Sequence, residues 1–425
     1  MEEHDKISIA DRIYIFLNSS IPWLVGVFIF FNPFPHTTSI REICFYLSLL
    51  ICLVLLFAGK YKFSFRTPLS VPFALFVLWS CFGLIFALDK TNSLHDVYAH
   101  LLKYLVIFYL VINFFNSEKG LKALAWIVAI STGIYIIIVM IHSYGIMKYP
   151  VMAGRFDELL GFNFPESSPN IVVLVSLFAL LLSVFLIARE NSCYQRLILI
   201  LSVCLSAFAV LATQSRSAIL ALIGAVLIIF PRRKKILLSF FVVAVILAAG
   251  FITVNNGFDR GRFLSKITSG DLSSMKARVS IWLCYAEIIK DHPVTGVGFG
   301  MQTCYDENLL MKYNQTVDEN YRMDHPYGAP HNMIVDTATR VGLVGLALFL
   351  YALFAFLATG GRLIKHGRNK FIKDWSLYVM GAFVAVFIQG MFENTLSGSP
   401  AIILYLIFAM MTILWRIENF AKAKL

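Results

Sequence analysis

The stretch NIVVLVSLFALLLSVFLIA, residues 170–188, contains no charged side chain and decides the fold class. A helix rises about 1.5 Å per residue, so about 20 apolar residues cross a hydrocarbon layer about 30 Å thick. The strands of a membrane β-barrel need only about 10 residues, and their apolar and polar residues alternate. The stretch therefore predicts a transmembrane α-helix.

Similar segments recur along the chain. Of its 425 residues, 59% are hydrophobic and 14% are charged, and the mean hydropathy is +0.75. A soluble domain carries about 25% charged residues. The composition therefore excludes an ordinary soluble domain and predicts an all-α integral membrane protein with about 12 transmembrane helices. The predicted segments are 13–31, 43–59, 69–88, 98–115, 121–143, 170–188, 195–212, 217–230, 236–254, 331–358, 375–394 and 400–416.

The distribution of Lys and Arg predicts the orientation, because positively charged short loops stay in the cytoplasm. With the N-terminus inside, most of these residues fall in the inner connections, and both termini are expected to be cytoplasmic. The net charge of +11 then reflects this bias, and no nucleic-acid partner is expected. Met1–Arg12 is polar, so no cleavable signal peptide is expected. The short outer loops hold Arg41, Lys90, Lys148, Arg155 and Arg216.

A long outer segment divides the chain into three parts. Transmembrane helices 1–9 are predicted in residues 1–254, the outer segment in 255–330, and helices 10–12 with the C-terminus in 331–425. The first half of the segment is basic and the second half is acidic, which suits either an anionic ligand or an ordinary solvated loop. Residues 277–291 are predicted to form a helix along the membrane interface, with Arg278, Trp282 and Tyr285 close together. The glycine-rich residues 292–300 are interpreted as a turn, because no strand precedes them as in a dinucleotide site.

Charged residues at the outer surface are the candidate site. Arg216 follows an apolar helix, and Arg155 lies in a similar loop. Either side chain could simply reach the interface, or its guanidinium could bind phosphate oxygens. His331, Asn332, Asp336 and Arg340 form one polar stripe at the start of the tenth helix. This stripe is either a structural Asp336–Arg340 pair with a capping histidine or the edge of a reactive cavity. Glu393 and Asn394 are expected on the same rim.

Several of these motifs together resemble the O-antigen ligase/polymerase superfamily of membrane glycosyltransferases. The resemblance covers essentially the whole chain, in helix number as well as in motif order. It is carried by TQSR at 213–216, RVSIW at 278–282, HPVTGVG at 292–298, HN at 331–332 followed by Asp336, and VGLVG at 341–345.

The resemblance implies a GT-C-like glycosyltransferase fold with a large periplasmic loop between helices 9 and 10. Among superfamily members, the lipopolysaccharide O-antigen ligases match best. Their arginines that match Arg216 and Arg278 are taken to hold the donor diphosphate, and a histidine that matches His331 acts near the acceptor hydroxyl. Arg155 is a further candidate for donor binding. Ligases often have Glu where this chain has Asp336, so a supporting role is predicted for Asn332, Asp336 and Arg340.

The implied activity is transfer of a glycan from an undecaprenyl diphosphate carrier to a sugar hydroxyl of lipid A–core. We expect an inverting displacement without metal or cofactor, on the periplasmic face of the bacterial inner membrane, with membrane lipids as the surroundings. An O-antigen polymerase and a protein O-oligosaccharyltransferase must bind the same kind of donor in the same way, and both remain alternatives. A transporter or flippase is the rival from another class, although transport sites usually lie near the midplane. Cys284 and Cys304 share the outer segment, where a disulfide is chemically permitted.

Overall fold

The computed structural model describes residues 9–148, 169–213, 215–229, 272–326, 328–393 and 396–422, and every regular element within them is helical. Two π-helical turns lie at Val97–Leu102 and Ile141–Ile146. The helices are α1 (Ile9–Phe30), α2 (Thr38–Phe57), α3 (Ser70–Gly83), α4 (Lys90–Asp96), α5 (Lys103–Phe114), α6 (Glu118–Met140), α7 (Pro169–Ile187), α8 (Cys193–Ala212), α9 (Arg216–Ile229), α10 (Leu272–Asp291), α11 (Met301–Cys304), α12 (Glu307–Asn314), α13 (Met333–His366), α14 (Lys370–Gly390) and α15 (Gly398–Lys422).

Eight helical stretches within the described residues are long and apolar enough to span a membrane, and three further apolar helices are shorter. Every predicted segment that falls within the described residues overlaps one of these helices, so the integral membrane class is confirmed. The predicted segment 236–254 lies outside the described residues. The total of twelve helices and the GT-C-like fold stay predictions. The eight are Asp11–Phe30, Thr38–Phe57, Lys90–Phe114, Glu118–Ile146, Cys193–Ala212, Met333–His366, Lys370–Gly390 and Gly398–Asn419; the three are Ser70–Gly83, Ile171–Ile187 and Arg216–Ile229.

Helix α7, which forms from the 170–188 stretch and ends at Ile187, occupies the centre of the bundle. Residues 172–186 of α7 are all buried, and α7 packs against α6, α8, α14 and α15. A helix that is apolar on every side is suited to such a central place, because all its faces meet other helices. Phe185 packs edge to face on Trp375, with ring centroids 4.4 Å apart.

Contacts between helix ends sort into the two faces that the charge distribution predicts. On the predicted inner face, the Lys60 ammonium of the α2–α3 connection lies 2.8 Å from the Asp11 carboxylate of α1. On the predicted outer face, the Ser399 hydroxyl of α15 donates to the Asn32 carbonyl just after α1, at 2.7 Å. Helix ends that are predicted to share a face therefore lie together in the structure.

The described part of the outer segment, which begins at Leu272, packs around a small core of its own. The predicted helix at 277–291 is confirmed as part of α10, which begins earlier, at Leu272. The Tyr285 ring of this helix is fully buried among α10, α11 and α12. Cys284 and Cys304 are buried as free thiols, and the Cys284 thiol donates to the Leu310 carbonyl at 3.3 Å. Burial raises the pKa of the Cys284 thiol to about 11, so it stays protonated.

The turn at 292–300 is inserted into a break in α13. Gly342 has φ of +71° and ψ of −179°, which interrupts the helix and frees backbone groups on both sides. The Val297 and Gly298 N–H groups donate to the Thr339 and Arg340 carbonyls at 2.9 and 3.1 Å. In return, the Leu343 N–H donates to the Pro293 carbonyl at 2.7 Å. Interpretation of these residues as a turn captured its shape but not this role.

Replacing Gly342 with alanine should destabilise the protein by about 3 kcal/mol or more. The residue adopts a left-handed φ, and an added Cβ would lie 2.0 Å from the Val294 carbonyl oxygen, a backbone atom that cannot move aside cheaply. Abundance in the membrane and thermal aggregation in detergent measure the loss. Gly361→Ala on the same helix is the control, because no atom lies within 4 Å of its added Cβ. Equal stability of the two variants would contradict the prediction.

Candidate active site

Helix α10 holds the chain just before His331 in a fixed position. The Trp282 indole N–H donates to the Pro330 carbonyl at 2.7 Å. One turn further along, the Tyr285 hydroxyl hydrogen-bonds the Gly328 carbonyl at 2.9 Å. These two aromatic residues lie on the helix face predicted from the spacing of Arg278, Trp282 and Tyr285. This face of α10 therefore anchors residues 328–330, which directly precede His331.

Asn332 fixes the start of α13. Its side-chain oxygen accepts hydrogen bonds from the Ile334 and Val335 N–H groups, at 2.9 and 3.2 Å. An asparagine in this position satisfies N–H groups that the first turn of a helix leaves without intrahelical partners. The capping histidine considered from the sequence is therefore wrong, because Asn332 forms the cap. This leaves the imidazole of His331 outside the helix.

His331 has a strained backbone and an accessible ring. Its φ is +47°, in the left-handed region that non-glycine residues rarely adopt. Such strain persists only where the surroundings hold it, and it is concentrated at functional sites. The imidazole is 48% exposed, and its Nδ1 lies 3.3 Å from Oε1 of Glu393, which follows α14. The expected place of Glu393 on this rim is therefore confirmed, and Asn394 lies outside the described residues.

Arg278 approaches the same place from α10. Its guanidinium carbon lies 5.7 Å from the centre of the Phe392 ring, the residue before Glu393. A guanidinium over an aromatic face is attracted by the electrons of the ring, while its N–H groups point outward from the edge of the plane. Phe392 thus contacts Arg278, and the next residue, Glu393, contacts His331.

Asp336 and Arg340, further along α13, form a buried pair. Their closest charged atoms are 3.4 Å apart. Arg340 Nε donates to the Phe299 carbonyl at 2.8 Å, and its second terminal nitrogen binds the same oxygen. The Tyr305 hydroxyl donates to the Asp336 carboxylate at 3.0 Å. Burial of the phenol, and after it the negative charge of Asp336, raise the pKa of Tyr305 well above its usual value. These contacts favour the structural interpretation of the pair, which ties α13 to the outer segment.

Arg216 begins α9 at the same end of the bundle. Gly224 of α9 lies against Val384 and Ile388 of α14, whereas Ile229 lies against Gly381, so the two helices run antiparallel. Arg216 is eight residues before Gly224, about 12 Å along the axis, which takes it to the level where α14 ends. Its side chain is exposed. Arg155, the remaining arginine predicted to bind the donor, lies outside the described residues.

Sequence reasoning missed the contribution of α4. The Met301 N–H donates to the Asp96 carboxylate at 2.7 Å, and the Asn92 side-chain oxygen accepts from Thr303 N–H at 3.1 Å. These residues clamp the end of the glycine-rich turn onto the bundle. The only sequence signal for a helix here was the set of residues that commonly cap helices, from Asp89 to Ser93, between the predicted transmembrane segments 69–88 and 98–115.

A metal centre has no obvious ligands in the described part of the chain. Within it, no three histidine, cysteine, aspartate or glutamate side chains are grouped so that they could hold a metal ion. The expected metal-independent reaction stays a prediction.

Comparison with known proteins agrees with the resemblance. Residues 200–350 match a family model described as O-antigen ligase. Over 374 residues, the chain is 25% identical to a protein of Rickettsia bellii (strain RML369-C) that carries the name of a candidate polysaccharide ligase. The alignment covers 84% of this chain and 82% of that protein. The resemblance predicted from the sequence is confirmed: the chain carries a region that matches the O-antigen ligase family, and this region holds Arg216, Arg278, Asn332, His331, Asp336 and Arg340.

Proposed function

We propose that this protein is an O-antigen ligase, a glycosyltransferase that moves a glycan from undecaprenyl diphosphate to a sugar hydroxyl of lipid A–core. The observation that carries the proposal is that Arg278 contacts Phe392 while His331 contacts the next residue, Glu393, and that both Arg278 and His331 lie within the region that matches the family. A cation for phosphate and a proton acceptor for a hydroxyl are the two groups that such a transfer requires. The name of the Rickettsia bellii relative favours a ligase within the superfamily.

The arginines form the donor side of the proposed site. Arg278 is half-buried over the Phe392 ring, and its forked N–H groups suit the oxygens of a diphosphate. Arg216 begins α9 at the same end of the bundle and would bind the second phosphate. Arg155 stays a candidate for the same role. Because the diphosphate gains charge as the glycosidic bond breaks, fixed cations bind the transition state more tightly than the ground state.

His331 forms the acceptor side. The acceptor hydroxyl oxygen attacks the anomeric carbon while the bond from that carbon to the diphosphate oxygen breaks. The bonding electrons leave with undecaprenyl diphosphate, and the hydroxyl proton passes to the imidazole. A single displacement of this kind inverts the anomeric configuration. No nucleotide is needed, since the lipid diphosphate is already an activated leaving group, and Asn332, Asp336 and Arg340 hold the backbone that carries the histidine.

The proposed site faces the periplasm, in a bacterial inner membrane with both chain termini in the cytoplasm. The support for this orientation is the excess of Lys and Arg in the connections on the opposite face. A carrier anchored in the outer leaflet would then present its diphosphate at the level of Arg216 and Arg278.

Deletion of the gene, followed by electrophoresis of the lipopolysaccharide, tests the proposal. Loss of a ligase should leave lipid A–core without glycan, while finished polymer accumulates on the lipid carrier. Loss of a polymerase would instead leave core that carries single repeat units. A normal ladder of glycan lengths in the deletion strain would contradict both activities and return the transporter to consideration.

A further inference from the structure

Glu393 approaches His331 from the segment that follows α14 and is the more buried partner. Its side chain is 12% exposed against 48% for the imidazole. The carboxylate lies at Nδ1, so the ring turns its other nitrogen, Nε2, away from the pair. A carboxylate at one imidazole nitrogen favours the tautomer with its proton on that nitrogen and leaves the other able to accept one.

The surroundings hold both partners of this pair. On the histidine side, the Trp282 bond to the Pro330 carbonyl and the Asn332 cap fix the residues on either side of a left-handed φ. On the glutamate side, Phe392 packs against the Arg278 guanidinium. A surface ion pair would not require a strained backbone that is held on both sides of the residue. The restraints on His331 therefore indicate that its position relative to the carboxylate matters.

We propose that Glu393 is the positioning residue of His331. Its carboxylate accepts a hydrogen bond from the Nδ1–H group, and this leaves Nε2 without a proton and directed toward the acceptor hydroxyl. When that hydroxyl proton reaches Nε2, the ring becomes an imidazolium, and the negative charge of Glu393 stabilises it. The proton is then released to water and the pair returns to its starting state. This inference rests on the proposed transferase function and deepens it.

A purely structural role for Glu393 predicts different effects of substitution. If the contact only fastened the segment after α14 to the start of α13, an uncharged hydrogen-bonding side chain would serve equally well. Its loss would then lower thermal stability or loosen substrate binding, without slowing the chemical step selectively. Glutamine keeps the shape and the accepting oxygen but removes the charge, so Glu393→Gln separates the two roles.

The test uses the full-length protein in proteoliposomes, with lipid-linked glycan and lipid A–core that are both extracted from the deletion strain. We expect Glu393→Gln to lower kcat by about 10- to 100-fold, with KM for donor and acceptor and thermal stability unchanged. Glu393→Ala should lower kcat further, and Glu393→Asp should recover part of the Gln loss. Glu307→Gln, an exposed carboxylate of the same outer segment, is the matched control and should behave as wild type.

Two results would overturn the inference. A Glu393→Gln protein with wild-type kcat would show that the charge has no part in the reaction. A loss that appears as raised KM or lowered thermal stability, with kcat intact, would assign Glu393 to the scaffold alone. Failure of the proposed function gives a different result, since the wild-type protein itself would then transfer no glycan in this assay.

Discussion

Replacement of His331 with alanine should reduce glycan transfer by about 100- to 10,000-fold, the range that a general base contributes. The imidazole is the exposed group at the entry to α13, and its backbone is held in a strained conformation. Transfer is measured as the appearance of glycan-bearing lipopolysaccharide, or directly in proteoliposomes. The Asn332 cap stays in place in this variant, so abundance in the membrane should be unchanged.

The control for this variant is a second histidine of the same outer segment. His325 is exposed and lies six residues earlier in the chain, so His325→Ala makes an equal change in composition. This control should transfer glycan at the wild-type rate. If His331→Ala were nearly as active as His325→Ala, the acceptor side of the proposed site would be wrongly assigned.

Replacement of Arg278 with alanine should reduce transfer by about 100- to 1,000-fold, or roughly 3–4 kcal/mol of transition-state stabilisation. The change removes a forked cation that the Phe392 ring holds in place. Arg278→Lys should recover only part of the activity, because an ammonium keeps the charge but not the two parallel N–H groups. Initial rates at saturating donor, compared with rates at low donor, separate the loss in kcat from the loss in binding.

Lys276 provides the matched control for Arg278. It is an exposed basic residue on the same helix, two positions away and therefore on another face. Lys276→Ala should leave transfer unchanged and would show that the general positive charge of α10 is not what matters. Similar losses in the two variants would indicate that Arg278 acts through long-range charge and not through direct phosphate binding.

The transmembrane helices were predictable because the bilayer imposes a length and a composition on each of them. For example, residues 195–212 were predicted and residues Cys193–Ala212 were found. The central place of α7 was not predictable, since a stretch that is apolar on all sides suits lipid and protein neighbours equally. Which of them it meets depends on the packing of helices that are distant in sequence.

The candidate site was predictable in its residue types but not in its contacts. A histidine beside a helix start and an arginine on a neighbouring helix follow from local spacing alone. The contact of His331 with Glu393 joins residues 62 positions apart, and no local pattern specifies which carboxylate faces the ring. The same holds for Asp96, which binds Met301 across 205 positions. Asp336 and Arg340 were predictable as neighbours, because four residues make one helical turn.

The insertion of residues 292–300 into the break at Gly342 has a practical consequence for engineering. Backbone N–H groups of the turn donate to the helix, and one of the helix donates to the turn. Each part would therefore have unpaired backbone groups without the other. Chimeras that aim to change the acceptor should therefore move Leu272 through Leu343 as one cassette. A graft that ended before His331 would pair the turn at 292–300 of one protein with the interrupted helix of another.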